Sequence, residues 1–131
     1  MNNYQNKYTG TAALLIAVSI VFGAFGAHIL IPGLEDKYIH TLSTANQYFF
    51  TNALGLLVVS ILGIEIRRIK LTYILILLGL ICFSGSLYVI VLCKFTSTNI
   101  PSIVGPLTPI GGIFLILGWL NLAFYYLCLR R

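Results

Sequence analysis

"ALLIAVSIVFGAFGAH", residues 13–28, opens on leucine, isoleucine and valine and closes on glycine, alanine, phenylalanine and a histidine. A bilayer's hydrocarbon core is about 30 Å thick and takes about 20 apolar residues of helix to cross. The apolar run around this stretch, 12–31, is long enough. It also exceeds the apolar core of a secretory signal, about 7–15 residues. Despite Lys7 ahead of it and small residues at Ala24 and Gly26, it therefore reads as a retained anchor. Glycine and alanine at its far end mark a surface that another helix approaches closely in lipid. "GAFGAH" (Gly23, Gly26 and Ala27 with His28) is first a packing surface, and its histidine enters a protein-lined space.

The whole chain follows suit. Of 131 residues, 59% are hydrophobic and 8% charged, and the mean hydropathy is +0.97, far from the balance of a soluble domain. Four stretches are long enough to cross, about 8–30, 40–63, 71–93 and 109–128. The expected fold is all-α: one transmembrane domain over 1–131, an integral membrane four-helix bundle with short connections. Pro32-Gly33 ends the first helix, Glu35-Asp36-Lys37 precedes the second, and the longest loop is 96–107. Thr108 is the expected N-cap of the fourth helix, with Pro109 at its first position.

A net charge of +5 suggests nucleic acid, but the basic residues stand in ones and twos beside apolar spans, with no basic face, so no nucleic-acid partner is expected. Lys7, Arg67, Arg68, Lys70, Arg130 and Arg131 fall on one side of the layout and Lys37 and Lys94 on the other. That asymmetry predicts cytoplasmic termini in a multi-pass protein of a bacterial inner (plasma) membrane. Tyr4, Tyr8, Tyr73, Tyr125 and Tyr126 would form an aromatic belt on the cytoplasmic side. Cys82, Cys93 and Cys128 have no metal-ligand spacing.

Lipid offers no hydrogen-bond partners, so polar side chains inside spans are informative. His40, Thr44, Gln47 and Thr51 recur at helical spacing and make one stripe, flanked by Tyr48 and Asn52. Ser84, Ser86 and Tyr88 lie in the outer half of the third span, with His28 and Thr108 at the same level. Together they predict a polar pocket in the outer half of the bundle. Gly111 and Gly118, seven apart, mark a close helix contact, and Gly79 marks another. Trp119 lies near mid-membrane and wants an acceptor for its N–H; depth counting puts Asn52 or Thr51 beside it. His28 and His40 could ligate iron or a metal, but two interfacial histidines without a third ligand define no metal site, and no cofactor is expected.

In order and spacing, "GAFGAH" (23–28), "TANQY" (44–48), "NALGLL" (52–57), "FSGSLY" (83–88) and "LTPIGGIFLILGW" (107–119) resemble the small four-span membrane proteins called domain of unknown function 423, or the transmembrane protein 256 family. The resemblance runs through all four spans. It implies a four-helix inner-membrane protein and no particular reaction, and adds Gly85 and Gly112 to the packing positions. Asn52 stands where the family pattern usually has histidine, and Phe49 where it tends to have glutamine. Asparagine keeps the hydrogen bonding and loses the proton, which counts against a titrating group at mid-membrane.

Two functions are compatible with these residues. The first is a non-enzymatic accessory, stabilising or assembly factor acting through helix packing, with a second copy or another membrane protein as its partner in the lipid bilayer. The second is a binder or carrier of a small molecule, lipid or quinone in the outer-half pocket. Glu35, Asp36 and Glu65 sit at helix ends, so no span carries the carboxylate that a proton-coupled exporter needs. No paired nucleophile and base or phosphate loop is identifiable, and the chain is not expected to be an enzyme.

Overall fold

The structure is a computed structural model describing residues 3–62 and 66–129. Gly63, Glu65, Arg130 and Arg131, and the side chains of Tyr4, Arg67 and Arg68, lie outside the described residues. The end of the second span and most of the charge asymmetry rest on them.

The described residues are mostly helical: α1 is Asn3–Phe25, α2 is Asp36–Ile61, α3 is Ile66–Phe95 and α4 is Val104–Phe124. Among the described residues three helical stretches are long and apolar enough to cross a membrane: Gln5–Gly33, Lys70–Phe95 and Val104–Cys128. The remaining helix, α2, is 26 residues long. Its amides and hydroxyls lower its apolarity, so length alone recommends it as a span.

Helix one does not stop at Phe25. It widens into a π turn over Gly26–Leu30, where the Ile31 N–H reaches the Gly26 carbonyl, and then tightens into a 3-10 turn over Ile31–Gly33 that holds Pro32. Leu34 and Glu35 are extended, and α2 begins at Asp36, whose carboxylate suits the positive helix start. At the end of α3 the Thr98 N–H reaches back to the Cys93 carbonyl (2.8 Å) and the Ser97 N–H to that of Lys94 (3.2 Å). This is a Schellman closure. It requires a left-handed residue, and Ser97 supplies it at φ 55°.

The start of α4 differs from expectation. The helix begins at Val104, so Thr108 is not its N-cap and Pro109 lies inside it. Two contacts favour the longer helix. Val104 is buried in the core, and Thr108, once on the helix, meets Ser86 of α3. Pro106 falls in the first turn, where no N–H partner is needed.

Successive helices run antiparallel. Thr9 near the start of α1 meets Ser60 near the end of α2, and Thr72 near the start of α3 meets Asn121 near the end of α4. One core cluster draws Ala12, Leu56, Tyr73, Ile76 and Leu115 from all four helices; another packs Leu30 with Leu42, Phe49, Leu80 and Tyr88. Tyr73 is no belt residue: it is buried and donates to the Tyr8 carbonyl at 2.9 Å.

The tightest seam joins α3 to α4. A Cβ at Gly111 would fall on the Phe83 backbone nitrogen and 2.8 Å from the Cys82 carbonyl carbon. One at Gly79 would come 2.7 Å from the Leu115 nitrogen, and one at Gly118 2.6 Å from Ile76 Cγ1. Gly112 has only the Phe83 ring, at 3.8 Å, and Gly85 has nothing within 4 Å, so neither is a tight-packing glycine.

Gly111→Ala is therefore expected to destabilise by on the order of 1–3 kcal/mol, since backbone cannot yield as a side chain does. Gly112→Ala should be close to neutral; thermal unfolding of the two variants in detergent checks the contrast. Ser97→Gly should raise stability by about 1 kcal/mol by relieving the left-handed residue, read in the same assay.

Candidate functional site

The buried face of α2 comprises Leu42, Ala45, Phe49, Asn52, Ala53, Leu56, Val59 and Ser60. Each residue turns a helix by about 100°, so Gln47 lies about 200° from Ala45. The stripe of His40, Thr44, Gln47 and Thr51 accordingly lies off the buried face, and all four are exposed, as is Tyr48. His28 lies exposed in the π turn. The expected single pocket is thus not formed: His28, Gln47 and Ser86 occupy three unrelated places. The close fit of Ala45 and Ala53 beneath neighbouring helices turns the helix this way, and the stripe follows.

The remaining polar residues pair across seams. Ser86 is buried; its hydroxyl donates to the Phe83 carbonyl at 2.8 Å and lies 2.6 Å from that of Thr108. The buried Tyr88 donates to Asn46 Oδ1 at 3.0 Å, and its ring stacks on Phe22 with centroids 4.6 Å apart. Thr72 accepts from the Asn121 amide at 2.8 Å. Ser84 is fully buried, and its Oγ has no hydrogen-bond partner among the described residues.

The pairing expected from depth is present. Trp119 Nε1 donates to Asn52 Oδ1 at 3.0 Å, and the Asn52 amide nitrogen donates in turn to the Tyr48 carbonyl at 2.9 Å. The indole lies over Gly55, where a Cβ would come 2.6 Å from Trp119 Cη2. Its outer face is open, with the residue 38% exposed. Sequence reasoning missed Gly55, and it missed Asn46, which lines the seam to α1 with Nδ2 3.0 Å from where a Gly23 Cβ would stand. The spacing of Asn46 and Phe49 among the alanines of α2 was the available signal. Gly26 is buried under Leu42, whereas Ala27 is exposed.

Between α2 and α4 runs a groove of about 500 Å³, open to the side of the molecule and lined by Gln47, Tyr48, Thr51, Asn52, Leu115, Ile116, Trp119 and Leu120. A smaller groove, about 270 Å³, lies between α1 and α2 beside Gly23, Gly26 and Asn46. The larger one is the candidate site. It places amides, a hydroxyl and an indole along an otherwise apolar wall, which suits hydrogen bonding to whatever lies beside the molecule. Among the described residues no three His, Cys, Asp or Glu side chains converge as a metal site would need.

Long apolar helices joined by hydrogen bonds and glycine contacts define a helical membrane protein. The family described as protein of unknown function (DUF423) matches residues 22–112, and the chain belongs to that family. It is 38% identical to a UPF0382 membrane protein of Staphylococcus haemolyticus over 84% of this chain and 86% of the relative. It is 37% identical to the UPF0382 membrane protein YwdK of Bacillus subtilis, over 85% and 86%. A UPF0382 membrane protein of Schizosaccharomyces pombe is 33% identical over 82% and 91%. No solved structure matches the chain.

Asn52→Leu removes the acceptor of the only tryptophan. The expected cost is about 0.5–2 kcal/mol, with a blue shift of Trp119 emission in nanodiscs, whereas Thr51→Ala should leave both the melting point and the emission unchanged.

Proposed function

We propose that this protein is a non-enzymatic accessory or assembly factor of a bacterial inner membrane that works by packing against another polypeptide within the bilayer. In this reading α2 is the fourth span, the helices form a membrane-embedded bundle, and both termini are cytoplasmic. The bias of Lys7, Arg67, Arg68, Lys70, Arg130 and Arg131 to one side supports that orientation. One observation carries the function: α2 presents His40, Thr44, Gln47 and Thr51 outward, where hydrocarbon has no partner for them. A polar side chain in that position is satisfied when a second helix covers it. The chemistry the helices use elsewhere, amide to indole and hydroxyl to hydroxyl, is the chemistry of such a contact.

The groove favours a second reading, a lipid or quinone held between α2 and α4. Its volume of about 500 Å³ falls in the range of small-molecule sites, about 300–1,000 Å³, and Trp119 and Tyr48 offer ring faces.

Native mass spectrometry of protein extracted in mild detergent, with affinity purification from the same membranes, checks both. The packing reading expects an assembly containing a second polypeptide. A monomer carrying no polypeptide overturns it, and a monomer retaining a lipid or quinone that Gln47→Leu releases selects the second reading.

A further inference from the structure

The exposed residues of α2 continue beyond the polar stripe. After His40, Thr44, Gln47 and Thr51 come Leu54, Val58 and Ile61, exposed by 44%, 51% and 63%. The steps along this series alternate between four and three residues throughout. That is the 3.5-residue repeat of a two-helix seam, in which the first and fourth positions of each heptad face a partner helix. The residues that α2 buries within its own chain occupy the opposite positions of the same heptads: Leu42, Ala45, Phe49, Asn52, Ala53, Leu56, Val59 and Ser60. One side of the helix thus packs within this chain, and the other carries an exposed seam of coiled-coil period, along which Gln47 and Thr51 border the groove toward α4.

The chemistry of the seam says what covers it. Glutamine, threonine and neutral histidine each hold both a hydrogen-bond donor and an acceptor, so each can pair with its own copy. No seam residue from His40 to Ile61 is donor-only, like lysine, or acceptor-only, like a carboxylate, either of which would demand a different partner. The seam is polar in its first half and apolar in its second. Two copies therefore match only when they run parallel and in register. Copies inserted with one orientation in a membrane are parallel, and a two-fold axis along the membrane normal sets each residue against itself.

We propose that the chain forms a parallel two-fold dimer in which α2 of each copy packs against α2 of the other along this seam, with Gln47 facing Gln47. The inference rests on the packing reading above and names its partner. The second helix lies in the groove between α2 and α4 and covers Ile116, Trp119 and Leu120 on the far wall as well. The Gln47 pair fixes the register, as a buried amide does at a seam position of a coiled coil.

Single cysteines test the seam in native membranes, with Cys82, Cys93 and Cys128 replaced by alanine. Thr44→Cys, Thr51→Cys, Leu54→Cys and Val58→Cys should each oxidise to a disulfide dimer, because facing seam positions lie within the Cα separation of about 4.4–6.8 Å that a disulfide accepts. Val21→Cys in α1 and Ile113→Cys in α4, exposed by 66% and 57%, should not. Gln47→Leu should spread cross-linking to neighbouring positions, and Gln47→Asn should keep it in register. Cross-linking without the 3.5-residue period, or equal at the control positions, overturns the dimer. A benzophenone amino acid at position 54 separates this failure from that of the parent reading. An adduct of twice the chain mass supports the dimer. An adduct only with a different polypeptide overturns the dimer and leaves the packing function standing, and adducts only with lipid overturn both.

Discussion

The backbone contact between α3 and α4 is the interaction on which the other features depend. Gly79, Gly111 and Gly118 remove the side chains that would hold the two helices apart, and Phe83, Leu115 and Ile76 close onto the space they leave. That approach sets the Ser86 and Thr108 hydroxyls 2.6 Å apart and brings Asn121 within 2.8 Å of Thr72. With α4 held so close to α3, the indole of Trp119 reaches back across to α2, over Gly55 and onto Asn52. In hydrocarbon the association of helices is driven by close packing and hydrogen bonds, since the lipid is as apolar as leucine. Glycine seams and polar pairs are therefore the expected means of assembly.

The polar groups divide between two duties. Inside, hydroxyls and amides other than the Ser84 hydroxyl satisfy one another or a backbone carbonyl: Thr9 with Ser60, Tyr88 with Asn46, Ser19 with the Ile16 carbonyl. Outside, α2 carries exposed residues of the same kinds. An amide facing acyl chains forfeits its hydrogen bonds, and each such loss costs on the order of 1 kcal/mol or more. In the reading proposed above, a second polypeptide along α2 would remove that cost for a row of side chains at once. Membership of a family whose relatives range from Staphylococcus to Schizosaccharomyces sets the general frame, a membrane protein; the exposed face of α2 gives that frame a direction.

Much of the fold was legible in composition and period. Long apolar runs dictate helices, and Pro32, Gly33 and the polar loop after Phe95 dictate where they turn. The glycines of "TPIGG" and "LGW" announced a close seam, and of the three, Gly111 and Gly118 form it while Gly112 does not. Adjacent residues on a helix point about 100° apart, so only one of two neighbouring glycines can lie at the point of closest approach. The join of Asn52 and Trp119 was legible because a depth count needs only the rise per residue and an unsatisfied donor.

What the sequence by itself determined is that the chain is a set of membrane-length helices, with polar groups at countable depths and small residues where the helices touch. Only the tertiary structure decided which face of α2 looks inward. The face it buries is the more apolar of the two, but lipid is as apolar as leucine, so hydropathy does not turn that face inward, and the choice falls to shape: Ala45, Ala53 and Leu56, fully buried, fit beneath the neighbouring helices. Once they do, rotation about the helix axis is spent, and Gln47 has no other direction in which to point.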